Sequence, residues 1–224
     1  MYYQCFQINF SEYMSSLVLK INAGTIWVLF CLTSLTSCAS TSELTPSNYQ
    51  TQLTYPEQTD TLFFVEQTDS DNPLYGTRLT YQSTFYELDI FNVFIYPVRH
   101  LQWQPALPVL MDEARMNYQG LDEFIQQNNY KSRTLEDIDQ LDWQIAGKSV
   151  QGLRGVSRVH LHDELYMHNY AYFFIKEDKV VRITTNMKFA EQLPPPDDYI
   201  LGLLAQLTVP KESAYMSQLR QSVE

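Results

Sequence analysis

His160-Leu161-His162-Asp163-Glu164, with His168 soon after, is the densest group of metal-ligating side chains in the sequence. Residues i and i+2 of a strand share a face, so His160 and His162 stand side by side if this stretch is a strand. Paired imidazoles chelate divalent transition metals, and Asp163 or Glu164 can add an oxygen ligand. Whether His168 joins depends on the turn. A two-residue turn at Asp163-Glu164 pairs His160 with Met167 and sends His168 to the other face. A three-residue loop centred on Glu164 pairs His160 with His168 and gathers all three. The plainer reading is two solvent-facing histidines near a sheet edge, with Val159 and Leu161 turned inward. No third ligand is assured, and four-coordinate sites need one.

Other patterns with chemical potential are weaker. Gly147-Lys148-Ser149 looks like the end of a phosphate loop, but the first glycine of that motif would fall at Asp142, so the stretch reads as a turn. Gly155-Val-Ser157-Arg-Val159 lacks the second glycine of a nucleophile elbow. Ser, His and Asp are plentiful, yet no spacing singles out a triad. No cofactor motif is present. Tyr166, Tyr170 and Tyr172, with Phe174, fall on one strand face. They form either an apolar binding face for a ligand or partner, or the packing surface under a helix.

Cys38 closes the segment Met14–Cys38, MSSLVLKINAGTIWVLFCLTSLTSC. Lys20 supplies a basic n-region, Ala23–Leu32 an apolar run, and small residues precede the cysteine, which is the layout of an export signal. Lys20 and Asn22 leave an apolar run shorter than the ~20 residues of a spanning helix. Leu35-Thr36-Ser37-Cys38 is similar to the lipobox of bacterial lipoproteins. The resemblance implies that residues 1–37 are removed as a signal peptide and that Cys38 carries a diacylglycerol. Residues 1–13 include Glu12 and no basic residue, so translation is expected to start at Met14. In Gram-negative bacteria, Ala39 rather than Asp after the lipidated cysteine implies sorting to the outer membrane, facing the periplasm. In a Gram-positive cell the anchor stays on the outer face of the cytoplasmic membrane.

Composition narrows the remaining choices. The chain carries 15 Lys+Arg against 26 Asp+Glu, a formal net charge of −11. Loss of Lys20 and Glu12 leaves the balance unchanged. An acidic protein does not seek nucleic acid, and no basic patch can hold it on an anionic membrane, so a lipid must do that work. No cysteine follows Cys38, which excludes internal disulfides, CxxC redox chemistry and cysteine metal sites in the mature chain. Stability therefore rests on a core, for which 45% hydrophobic content with 16 Tyr and 12 Phe is ample.

The elements that must position these groups follow from periodicity. Residues 38–60, rich in Ser, Thr, Gln and Pro, read as a flexible tether after the lipidated cysteine. Residues 61–210 read as one domain and 211–224 as a C-terminal tail. Thr61–Thr68, Gly76–Gln82 and Glu87–Pro97 have strand character, the last apolar on both faces and hence covered on both. Leu107–Gln126 repeats apolar residues at three- and four-residue steps, a helix. Leu135–Leu141 reads as a short helical turn. Trp143–Ala146, Val150–His162, Leu165–Lys176 and Lys179–Met187 return to strand character, with a polar hairpin turn at Lys176-Glu-Asp-Lys179. After Pro194–Pro196, Asp197 or Asp198 caps a helix over Tyr199–Leu207.

This order predicts an α+β fold: an antiparallel sheet of about six or seven strands with a helix on each face. In order and length it resembles the PsbP-like fold over roughly Leu62–Leu207. That resemblance rests on element order and assigns no functional residue. The function expected is a membrane-anchored, monomeric envelope lipoprotein that binds a partner protein or small ligand without catalysis. The alternative is a metal-dependent or hydrolytic periplasmic enzyme using His160 and His162.

Overall fold

The computed structural model describes residues 49–85, 89–162, 165–187 and 196–222. The export segment, Met14, Cys38, Asp163 and Glu164 lie outside the described residues. The elements run α1 (Tyr49–Gln52), β1 (Leu62–Asp69), β2 (Thr77–Ser83), β3 (Ile90–Pro97), α2 (Ala106–Gln127), β4 (Ser132–Ile145), β5 (Lys148–His160), β6 (Tyr166–Lys176), β7 (Lys179–Met187), α3 (Asp197–Gln206) and α4 (Ala214–Gln221). The seven strands form one antiparallel sheet in the order β1-β2-β3-β7-β6-β5-β4. It is therefore two meanders. The first runs inward to β3, α2 carries the chain to the far edge, and the second returns from β4 to close on β3 through β7.

Alternation along the central strands sorts their side chains. Phe91, Val93 and Ile95 of β3 join one cluster, while Phe94 and Tyr96 join another on the opposite face. On β6, Tyr170, Tyr172 and Phe174 pack with Ile200, Leu203 and Leu204 of α3. Their neighbours Ala171 and Phe173 pack instead with Leu110, Ala114 and Tyr118 of α2. Gly155 lets α2 approach this closely, since a Cβ there would lie 1.6 Å from the Tyr118 hydroxyl oxygen.

Polar side chains fasten the helices to the sheet. The buried Tyr96 hydroxyl donates to Glu113 of α2 at 2.5 Å. Asp197 does not cap α3 with its side chain. It accepts instead from the Tyr172 hydroxyl at 2.5 Å and from Arg154 at 2.7 Å, and Arg154 also pairs with Asp139. Lys176 donates to the Leu204 and Leu207 carbonyls at the C-terminal end of α3, where a cation suits the exposed carbonyls. The polar hairpin turn after Lys176 exposes Glu177 but buries Asp178 and Lys179. Lys179 is fully buried against Asp178, and Arg220 of α4 reaches both Asp178, at 3.3 Å, and the Val98 carbonyl, at 2.7 Å.

Three expectations change. Leu135–Leu141 is not a helical turn but part of the fourteen-residue strand β4. A bulge between Leu135 and Asp137 places Leu135 and Ile138 on the same face, three residues apart, so a broken strand alternation imitates helical spacing. The second half of the expected tether is built into the domain. Tyr49 and Leu53 enter the core, Thr54 exchanges backbone bonds with Thr208 at 3.0 and 2.8 Å, and the Tyr81 hydroxyl donates to the Pro56 carbonyl. The expected C-terminal tail contains α4, capped by Ser213 and docked through Met216 and Arg220. Sparse apolar residues in polar stretches mark both segments, too few for a periodic pattern but enough to plug the open ends of a sheet.

Leu53→Ala should therefore cost about 2–5 kcal/mol, the range for a buried leucine, and a chain starting at Asp60 should melt at a lower temperature than one starting at Glu43. Equal melting of the two chains removes Tyr49–Tyr55 from the core. A second prediction concerns acid. The hydrogen bond from Arg154 holds the Asp139 carboxyl below the usual carboxylate range. A depressed folded-state value gives stability that is present above the unfolded value of about 3.9 and is lost as pH falls through the folded value. Arg154→Met should lower stability at pH 7 by roughly 1–3 kcal/mol, and the gap from the parent chain should narrow below about pH 4. Denaturant melts at pH 7 and pH 3 measure it; a gap that is the same at both overturns the assignment.

Candidate functional site

The histidines are distributed by the register of the β5–β6 hairpin. His160 lies opposite Tyr166 and Arg158 opposite His168, a pairing one step from the two-residue turn considered and two steps from the three-residue loop. The backbone closes the hairpin through Leu161 N–H to the Leu165 carbonyl at 2.9 Å and Leu165 N–H to the His162 carbonyl at 2.7 Å. Each ring then meets a different aromatic. His160 stacks on Tyr166 at 4.6 Å between centroids and 18° between planes. His162, past the end of β5, meets Tyr130 edge-on at 5.5 Å. His168 faces Tyr170 at 6.5 Å. Among the described residues, no three His, Cys, Asp or Glu side chains gather closely enough to hold a metal. The alternation that sets His160 and His162 side by side ends with the strand, so the pair diverges.

The tyrosine face divides in the same way. Tyr170 is 7% exposed and Tyr172 is 0% exposed, both packed with α3, so neither lines an open apolar surface. Burial pushes the Tyr172 hydroxyl well above its ordinary range, with the Asp197 bond adding to the shift, so it remains a proton donor. Tyr166 stays accessible, 37% exposed, with the Arg158 guanidinium 4.0 Å from its ring centroid. At the α3 end the wide rings of Tyr170, Tyr172 and Phe174 fill the space beneath a short helix.

The remaining motifs take structural places. Ala146 and Gly147, both at positive φ, form the tight turn between β4 and β5, and the Ser149 hydroxyl is spent on Asp142 at 2.5 Å. Ser157 is fully buried on the α2 side of β5, with no path for a substrate. The polar groups that organise the molecule are Arg154, Asp197, Asp178, Lys179 and Arg220. Their partners lie up to 43 residues away for Arg154–Asp197 and 42 for Arg220–Asp178. The only local signal for them is a lone cation inside an otherwise apolar strand, as at Arg154 and Arg182. Arg182 spreads over Phe94 at 4.3 Å, a cation–π contact.

Open space lies elsewhere, around the start of α2. A cleft of about 740 Å3 is walled by Trp103, Pro105, Gln151 and Ile175. A smaller one of about 210 Å3 separates Leu107 and Leu110 of α2 from Gln140, Leu141 and Asp142 of β4. Leu107 and Met111 remain 38% and 40% exposed. This end of the sheet offers apolar walls with hydrogen-bonding and charged groups, Lys176 and Glu177 among them. It is a surface suited to holding another molecule.

No protein-family model matches the chain, and no curated protein matches it. Among solved structures, the chain is similar to the cyanobacterial PsbP (CyanoP) of Synechocystis, a protein of the kind its element order resembles. That likeness has 13% identity and a TM-score of 0.46, over 78% of this chain and 98% of the other. It is also similar to PA94, a protein of unknown function from Pseudomonas aeruginosa, at 11% identity and a TM-score of 0.28, over 67% of this chain and 84% of the other. At these scores neither likeness says anything of function.

Proposed function

We propose that the chain is a lipid-anchored, non-catalytic binding module of the bacterial cell envelope. The observation that carries this reading is the tetrad Leu35-Thr36-Ser37-Cys38 closing an apolar segment, with no later cysteine in the chain. A diacylglycerol on Cys38 supplies attachment that an acidic surface cannot, at about 0.8 kcal/mol per buried CH₂. Ala39 and Ser40 after the anchor favour the outer membrane, periplasm-facing, in a Gram-negative cell. The binding part of the reading is supported by the dispersal of the three histidines onto separate rings and by the clefts around α2 and β4.

Intact mass of the membrane-extracted protein should give a diacylglyceryl-modified chain beginning at Cys38, and Cys38→Ser should abolish processing and membrane attachment. A Cys38→Ser chain that is still cleaved and membrane-bound overturns the anchor. The absence of catalysis is tested at the histidines. His160→Ala/His162→Ala should leave zinc binding by the full-length protein unchanged and shift stability by no more than about 1 kcal/mol, the scale of one ring contact. A stoichiometric metal lost in the double variant would restore the enzyme.

A further inference from the structure

We infer that the outer edge of β4 is a docking strand, which takes up an extended, basic segment of a partner protein as an eighth strand of the sheet. This deepens the binding-module reading and rests on it. The sheet has two edges, β1 and β4. The chain covers the start of the first itself: Phe64 N–H donates to the Glu57 carbonyl at 2.8 Å, and Gln58 bridges Phe63. Among the described residues the second is long and open. β4 pairs with β5 from Ser132 to Ile145, and its other side makes no backbone hydrogen bond among the described residues. A row of unpaired N–H and C=O groups is a template for another strand. The bulge after Leu135 limits the template to Asp137–Ile145, all in one phase.

The side chains of that stretch specify the occupant. On the α3 side, Leu141, Trp143 and Ile145 pack against the core yet stay partly open, with the Trp143 ring 6.1 Å from Tyr172 and 5.5 Å from Phe174. An incoming strand with apolar residues on this side completes their burial. On the other side stand Gln140, Asp142 and Gln144, all exposed, above the small cleft against Leu107 and Leu110. β4 holds four acidic residues, Glu136, Asp137, Asp139 and Asp142, against one cation, Arg133. Arg133 is committed to Asp122 through two bonds of 2.8 and 2.7 Å, and Asp139 is already paired with Arg154. Asp137 and Asp142 are exposed, and among the described residues neither has a cation within ion-pair distance. Cross-strand pairs of opposite charge stabilise a sheet and like charges weaken it. Asp137 stands with Asp139 on the α3 side and Asp142 on the other, so the fitting partner alternates apolar residues, set beside Leu141, Trp143 and Ile145, with Lys or Arg set beside Asp142. A second copy fits poorly, because pairing Asp137–Ile145 with itself gathers six acidic residues along one seam.

The test uses the full-length protein in detergent and a blocked eight-residue peptide alternating Val and Lys, followed by tryptophan fluorescence. Saturable binding is expected. Methylating the backbone nitrogen of alternate residues, which keeps the charge and removes the pairing edge, should weaken binding at least tenfold. A Val–Glu peptide should bind at least tenfold more weakly than the Val–Lys peptide, and Asp137→Lys/Asp142→Lys should reverse that preference. Equal binding of the methylated peptide, no saturable binding, or a preference unchanged in a folded double variant overturns the docking strand. So does a dimer in sedimentation that the double variant dissociates, which makes a second copy the occupant. Lipid on Cys38 is read by mass in the same preparation, so peptide failure with lipid present overturns the edge alone and leaves the anchored module standing.

Discussion

The pairing of β3 with β7 is the constraint on which the rest of the molecule depends. It is the single seam joining the two meanders, with Val93 opposite Ile183 and Ile95 opposite Val181. Both strands are apolar on both sides, so the seam is stable only when each face is covered. That requirement dictates where the rest of the chain goes. One face is filled by α3 with Tyr49, Leu53 and Val209 around it, the other by the start of α2 through Val109 against Tyr96 and Val180. The seam also joins strands distant in sequence, so the local meanders must form before, or together with, a contact that closes a long loop.

Charge then decides which pieces dock at which end. The hairpin turn between β6 and β7 carries Asp178 and Lys179 into the interior, and Arg220 and Tyr49 come from opposite ends of the domain to meet it. Burial lowers the Lys179 value, the Asp178 bond opposing the shift, so this cation is held at a cost that only its partners offset. Such a group contributes little net stability, but an unpaired Asp178 or Lys179 is expensive, so α4 has one acceptable seat. Arg154 acts likewise for α3, binding Asp139 of β4 and Asp197 of the helix at once. Polar residues that might have formed a reactive site are thus occupied in holding helices to strands.

Legibility from sequence followed the strength of local pattern. The strong periodic stretches, β2, β3, β6, β7 and α2, were readable to within a few residues because one or both faces are apolar without interruption. β4 was not, because its bulge shifts phase at Glu136 and its apolar side chains change face between Ile138 and Leu141. Tyr49 and Leu53 were invisible as core because two apolar residues in a polar stretch carry no period; only the finished sheet shows the gap they fill. At the candidate site, the strand character around His160 was legible, but the register that separates the three histidines depends on a turn, and a shift of one residue exchanges every partner. The ion pairs at Arg154 and Asp178 join residues far apart in sequence, and nothing local announces them.

The two edges of the sheet show why an acidic, half-open strand belongs at the end and not the beginning of the α2 crossover. β1 follows directly from the segment of residues 49–60, and that segment covers its first residues through Glu57 and Gln58. β4 is reached only after α2 has crossed the face, and among the described residues no segment covers its outer side. An exposed edge of this length invites aggregation unless charge opposes it, and Asp137 and Asp142 supply that charge. The same carboxylates that keep two copies apart attract a strand of opposite sign, so protection and recognition come from one feature. On the proposed reading of a lipid on Cys38, such an edge would meet its partners at a raised effective concentration, and a modest affinity for each would suffice to keep them bound.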